Sequence, residues 1–286
     1  MSDTPVFVHT GESVVPAAEA RVSVLDHGFL FGDSVYDVIR TANRRPFMMQ
    51  DHLDRLRRSA AMIYLDLPWS DAEIAARMAA VYERIGDVEA YFRIVATRGP
   101  GPISLLPDGC DAPGLYVIGR ELIRYEARQY SEGCRVRVVH RLRNPKDALD
   151  PRAKTGNYLN NMLGLIEARR EGAEDALFLN ADGALTEATT ANLWIVEKGE
   201  ILTPPLGAGL LGGITRDWVF EQTPAAREER IDRARLDAAD EVFLTGTIKG
   251  VMPVSHIDGQ VVGQGRPGPA TQALHAAYNA ALAANE

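Results

Sequence analysis

Apolar and polar positions along this chain follow two periods. Across residues 34–40 they alternate, which predicts a strand with Tyr36, Val38 and Arg40 on one face and Val35, Asp37 and Ile39 on the other. Residues 50–64 switch to helical spacing, with Leu53, Leu56, Ala60 and Ile63 as the apolar stripe. Arg55, Arg57 and Arg58 fall between them, where arginines ordinarily face water. Ser70 and Glu73 form a capping-box pattern ahead of a second helix, whose stripe is Ile74, Met78, Val81 and Ile85 and whose stop is Gly86. Strands are expected at 6–8 and 14–15 around a Gly11 turn, then at 90–98 and 114–120. The Gly/Pro-rich stretch 99–109 between the last two reads as an exposed loop.

Residues 121–132 are charged and lack periodicity, so they read as a linker. The pattern then predicts a strand at 134–141 and a helix at 158–171 with Asn157 as its cap. An apolar strand follows at 175–180. Glu187 sits in a Thr/Ala-rich segment, and further strands are expected at 192–196 and 238–245. Gly212 and Gly213 form a turn into a helix beginning at Ile214 and Thr215, and an Ala-rich helix covers 269–284. The division expected is a small N-terminal α/β domain, 1–120, the linker, and a larger C-terminal α/β domain, 133–286.

Composition narrows the class. The chain has 286 residues, 46% of them hydrophobic and 24% charged, enough apolar material for a real core. A net charge of -8 disfavours nucleic acid as a partner. The two cysteines show no metal-ligand spacing, and a reduced, cytoplasmic setting is expected. No run of apolar residues is long enough to cross a membrane, and the first residues do not resemble a secretion signal. The six histidines are scattered, so no metal is expected. Neither a GxSxG nor a phosphate-loop motif occurs.

What remains is a lysine before a helix, a distant glutamate, an arginine-bearing helix, and a Gly-Gly turn that opens another helix. A lysine can hold an aldehyde as a Schiff base. A carboxylate beside a pyridine nitrogen keeps that nitrogen protonated, so the ring accepts electrons. Arginine and helix-start N–H groups suit a phosphate. Pyridoxal 5'-phosphate asks for all three.

Eight stretches carry a resemblance: HGFLFGDSVYDVIR, DHLDRLRRSA, YFRIVATRG, AKTGNYL, DGALTEATTANLW, LLGGITR, DEVFLTGT and MPV. Their order and rough spacing resemble the class IV, fold-type IV, pyridoxal-phosphate aminotransferases. That resemblance implies an α/β (α+β) fold with the cofactor at the interface of the two domains. It implies Lys154 as the lysine that bonds the cofactor and shuttles the proton, Glu187 at the ring nitrogen, and Arg55 on the phosphate. Gly213, Ile214, Thr215 and Thr247 would cup the phosphate or a carboxylate. Tyr158 would lie near the phenolic oxygen, with Leu211 and Asn192 among the cofactor contacts. Tyr36, Arg40, Tyr91 and Arg93 would line the substrate pocket.

The resemblance to branched-chain enzymes rests on GNYL with Arg40 and Arg93. VYDV and TRG lean toward the D-amino-acid enzymes, although the following loop lacks their Arg-x-His. Where the branched-chain pattern has two small residues after Gly-Thr, this chain has Ile248 and Lys249, expected to narrow or recharge the carboxylate side. The implied activity is amino transfer from an amino acid to a 2-oxo acid such as 2-oxoglutarate, in a homodimer. An aminodeoxychorismate lyase, a D-amino-acid or (R)-amine transaminase, and a non-catalytic cofactor-binding protein stay open as alternatives.

Overall fold

A computed structural model describes residues 4–285. Its helices and strands gather into two compact units: residues 1–123 with 153–157 and 282–286, and residues 124–152 with 158–281.

The first unit contains β1 (Val6–His9), β2 (Val14–Pro16), α1 (His27–Leu30), β3 (Ser34–Ala42), β4 (Arg45–Pro46), α2 (Met49–Met62), α3 (Asp71–Ile85), β5 (Ala90–Thr97) and β6 (Gly114–Glu121). Among the described residues its strands form one sheet in the order β2-β1-β6-β5-β3-β4. The alternation of β3 does what its pattern predicts. Val35 and Ile39 join Leu53 and Leu56 of α2 and Ile74, Met78 and Val81 of α3 in one core. Burying such side chains stabilises each by about 1.5–3 kcal/mol. The capping box at Ser70 is present, with Ser70 Oγ accepting from Glu73 N.

The second unit contains α4 (Ala127–Ser131), β7 (Cys134–Val138), α5 (Leu159–Arg170), β8 (Asp175–Leu179), β9 (Leu185–Ala188), β10 (Asn192–Glu197), β11 (Glu200–Thr203), α6 (Ile214–Gln222), β12 (Arg227–Glu228), α7 (Arg233–Asp237), β13 (Glu241–Gly246), β14 (Gly250–Ile257), β15 (Gln260–Val261) and α8 (Pro269–Ala283). The strands run β10-β13-β14-β7-β8-β9 and return to β10, because Glu187 of β9 pairs with Asn192. This pairing covers the free side of β9, while β11 and β12 continue the sheet beyond β10, and it sets Glu187 opposite Asn192. The parallel pair β7–β8 requires a crossover, which includes α5. Gly164 lets α5 lie close to β8, since a Cβ there would fall 2.3 Å from Phe178 Cζ.

Several expectations need correction. Residues 121–132 are more than a connector, because they include α4 and bring Tyr125 and Tyr130 against the core of the second unit. Asn157 does not cap α5. Tyr158 occupies that position, its side chain making no capping bond to the helix, and the Asn157 amide donates to Gly32 O at 3.0 Å. The strand expected at 238–245 starts only at Glu241, since α7 and its cap extend to Ala238. The Thr/Ala-rich segment holding Glu187 starts with a strand, β9. On α5 it is Asn161, Gly164 and Ala168 that face inward, while Leu159 and Met162 are exposed.

Candidate functional site

In the first unit the segment 153–157 lies along the start of β3. Tyr36 N donates to Lys154 O at 2.9 Å, Gly156 N donates to Ser34 O at 2.8 Å, and Thr155 bridges Val35. Lys154 N donates to Ser59 Oγ of α2 at 3.0 Å. These bonds fix the lysine backbone on both sides, and its Nζ sits 4.6 Å from the centre of the Tyr36 ring. The Arg93 guanidinium carbon lies 3.5 Å from the same ring. Antiparallel pairing of β3 with β5 puts Arg40 opposite Tyr91 and Val38 opposite Arg93. Cross-strand partners share a face, so Tyr36, Arg40, Tyr91 and Arg93 stand on one side of the sheet.

Arg55 is on α2 and buried, unlike an ordinary arginine on such a helix. Its Nε donates to Asp37 Oδ2 and its Nη2 to Asp37 Oδ1, each at 2.8 Å. His52 Nδ1 lies 2.7 Å from Asp37 Oδ1. Burial pushes the Asp37 pKa up, but Arg55 and His52 outweigh it and hold the carboxyl well below the usual carboxylate range. Burial lowers the His52 pKa despite Asp37. Asp37 and His52 were not singled out from the sequence. The available signal was one carboxylate on the otherwise apolar face of β3.

In the second unit Glu187 is buried, with Oε1 accepting from Arg143 Nε at 2.9 Å and Oε2 from Leu211 N at 3.1 Å. Arg143 lies in the irregular loop after β7, and its N donates to Leu179 O at 2.9 Å, which carries the chain alongside β8. Its role as the partner of Glu187 had no local signal. Asn192 Nδ2 donates to Leu211 O at 2.8 Å. The same side chain touches the start of α6, since a Cβ on Gly213 would fall 1.9 Å from Asn192 Oδ1. Gly213 caps α6 without a side chain, and Ile214 and Thr215 are buried behind it. A Cβ on Gly212 would meet only Leu206 Cδ2, at 3.8 Å, so space is open beside the helix start. A helix N-terminus with room beside it suits an anion. Glu187, Asn192, Leu211 and Gly213 therefore form one cluster.

Thr247 and Ile248 are half-buried in the hairpin loop between β13 and β14. Lys249 is buried instead, its Nζ 3.2 Å from Asp175 Oδ2, so Asp175 offsets the charge expected to recharge the pocket. Tyr158 is half-buried at the start of α5. Among the described residues no group of His, Cys, Asp or Glu could hold a metal ion. No described helix is long and apolar enough to cross a membrane.

A family model described as amino-transferase class IV matches residues 34–257. A putative branched-chain-amino-acid aminotransferase of Methanocaldococcus jannaschii is 35% identical over 93% of each chain. A D-alanine aminotransferase of Bacillus licheniformis is 31% identical over 91% of each chain. Among solved structures, a T.th. branched-chain amino acid aminotransferase with pyridoxamine 5'-phosphate superposes with a TM-score of 0.92 at 30% identity, covering 98% of this chain and 95% of that one. The same enzyme is also known complexed with N-(5'-phosphopyridoxyl)-L-glutamate.

Proposed function

The chain belongs to the class IV aminotransferase family, and we propose that it transfers the amino group of a branched-chain amino acid to a 2-oxo acid on pyridoxal 5'-phosphate. The cycle is ping-pong, with 2-oxoglutarate as an acceptor. The enzyme is a cytoplasmic homodimer. The observation that carries this reading is the buried Glu187, oriented by Arg143 and Leu211 beside the glycine-capped start of α6. A ring nitrogen fits the carboxylate, and a phosphate fits the helix start. The name of the Methanocaldococcus relative supports a branched-chain substrate, and the structure with pyridoxamine 5'-phosphate supports the cofactor.

When bound, the cofactor supplies an electron sink for the carbon that loses its proton. Lys154 Nζ would hold it, and the same amine would take and return the substrate proton. The Tyr36 ring and the backbone bonds around Lys154 limit where that amine can swing. Arg55, held by Asp37, would offer its guanidinium to the phosphate; the N-terminus of α6 with Thr215, and Thr247, would offer N–H and hydroxyl groups to it. Leu211 would pack on the ring, with Tyr158 and Asn192 among the other contacts. Tyr36, Arg40, Tyr91, Arg93 and Ile248 wall the substrate. The homodimer has its support in the outward apolar residues, Leu159 and Met162 on α5 and Phe29, Ile103 and Leu105 in the first unit.

The test is a panel of L- and D-amino acids and amines added to the reconstituted protein while the cofactor band is followed. L-leucine, L-isoleucine and L-valine are expected to bleach it, and a 2-oxo acid to restore it. Turnover without an acceptor, or a band that no amino acid changes, would overturn the assignment. Lys154→Ala is expected to lose the borohydride-fixable cofactor bond and to slow transamination by roughly a thousandfold or more. Light scattering in solution reads the dimer directly.

A further inference from the structure

Lys249 presents a chemical puzzle. The family pattern has a small residue where this chain places a long cation, and that cation does not remain at the surface. Its side chain is 9% exposed. Nζ lies 3.2 Å from Asp175 Oδ2 and donates to Tyr125 Oη at 3.1 Å and Thr190 Oγ1 at 2.9 Å. An ammonium has three N–H donors, and these three partners match them. The backbone is held as well, with Tyr130 Oη donating to Lys249 O at 2.9 Å.

The partners come from three places in the second unit. Tyr125 and Tyr130 flank and belong to α4, Asp175 opens β8, and Thr190 lies in the short link from β9 to β10. Asp175 Oδ1 accepts in addition from Thr189 N, at 3.3 Å, and from Thr189 Oγ1. Asn161 Nδ2 of α5 donates to Thr189 O at 2.8 Å. The link 189–191 also lies against the end of β13, just before that loop, since a Cβ on Gly246 would fall 3.0 Å from Thr190 O. One carboxylate thus ties two loops together, one following Glu187 and the other carrying Thr247 and Ile248.

A cavity of about 240 Å³, lined by Tyr125, Cys134, Asp175, Thr190, Lys249 and Met252 among others, borders the pair. The loop therefore lacks close packing on that side, and the polar bonds carry its position.

We infer that Lys249 and Asp175 act as a positioning pair for substrate recognition, bracing the hairpin loop 247–249 against the 189–191 link so that Thr247 and Ile248 present a fixed surface. Lys249 itself makes no contact with substrate. The inference rests on the proposed transaminase reading, in which Thr247 and Ile248 border the pocket. It assigns this chain a charge pair where the branched-chain pattern relies on small side chains.

The experiment uses the full-length, cofactor-loaded protein. Asp175→Asn with Lys249→Met removes both charges together, so neither is left buried alone. The expected result is an unchanged cofactor band, kcat within about twofold, and KM raised about tenfold, equally for 2-oxoglutarate and for a branched apolar 2-oxo acid. An equal rise marks a displaced loop, whereas a rise confined to 2-oxoglutarate would mean that the ammonium meets the substrate carboxylate, and that overturns the proposal. Tyr130→Phe, which removes only the hydroxyl holding Lys249 O, is expected to raise both KM values about threefold. Wild-type KM values in both variants also overturn it. If instead the wild-type protein shows no half-reaction, it is the transaminase assignment that fails, before any variant is read.

Discussion

Each unit buries an aspartate against a cation, and the two pairs differ in what the cation can still do. In the first unit Asp37 binds Arg55 through two parallel N–H donors and also accepts from His52. In the second, Asp175 is one of three acceptors around Lys249. A guanidinium holds its donors in a rigid planar fork, so two parallel bonds to Asp37 aim the whole group. An ammonium has three, and the protein's own groups match every one. The first arrangement suits a cation presented to a ligand, and the second suits a cation that holds backbone in place.

The sharpest way to break this contrast is Asp37→Asn with Arg55→Met. Removing both charges is expected to leave the fold close to its original stability yet raise the cofactor Kd roughly a hundredfold, equivalent to about 2.7 kcal/mol. A wild-type Kd, measured by titrating the apoprotein, would make Arg55 as structural as Lys249. Asp37→Ala alone strands Arg55 and His52 and is expected to cost about 3–5 kcal/mol in urea unfolding. Glu187→Ala extends the comparison to a carboxylate assigned to ligand chemistry. It is expected to retain cofactor while kcat falls roughly a hundredfold, measured in the half-reaction. An unchanged kcat would remove Glu187 from the ring nitrogen.

The pairs also differ in sign with pH. Burial keeps folded His52 below its ordinary pKa, so the unfolded chain binds its proton more readily. That contribution is intact above about pH 6.5 and declines as pH falls through it, by at most about 1.4 kcal/mol per pH unit. The depressed Asp37 pKa acts in the same direction, below about pH 4. Burial opposes the Lys249 charge, but Asp175 and Tyr125 raise its pKa above the ordinary lysine value. Its contribution is therefore complete below about pH 10.4 and is lost only above that. Urea midpoints at pH 5.5 and 7.5 are expected to differ less in His52→Gln than in wild type. A full acid slope in that variant would place the titrating group elsewhere. The smallest effect is Ser70→Ala, about 1 kcal/mol for the lost cap of α3, read from the thermal midpoint.

The sequence showed these two pairs unequally. Arg55 was singled out by its place in HLDRL, and its partner is 18 residues away on an adjacent alternating strand. Asp37 stands there as a lone carboxylate between Val35 and Ile39, and nothing local in the sequence pairs it with α2. Lys249 reads as a charge entering the pocket from its place after Gly-Thr, where the branched-chain pattern has a small residue. Its partner Tyr125 is 124 residues away, in a segment read as a bare linker. Arg143, the companion of Glu187, was hidden for the same reason, 44 residues upstream on an irregular loop.

By itself the sequence determined the local order: alternation made β3, helical spacing and a capping box made α2 and α3, and the ordered motifs picked out Lys154, Glu187 and the Gly-Gly turn. Those features depend on neighbours a few residues apart, where backbone geometry alone sets who faces whom. Only the tertiary structure decided that β9 closes onto β10, that Asn157 reaches Gly32 instead of capping α5, and that Lys249 turns inward to Asp175. Such outcomes depend on which distant groups a folded chain brings within hydrogen-bond reach, and a buried charge takes whichever partner the topology delivers.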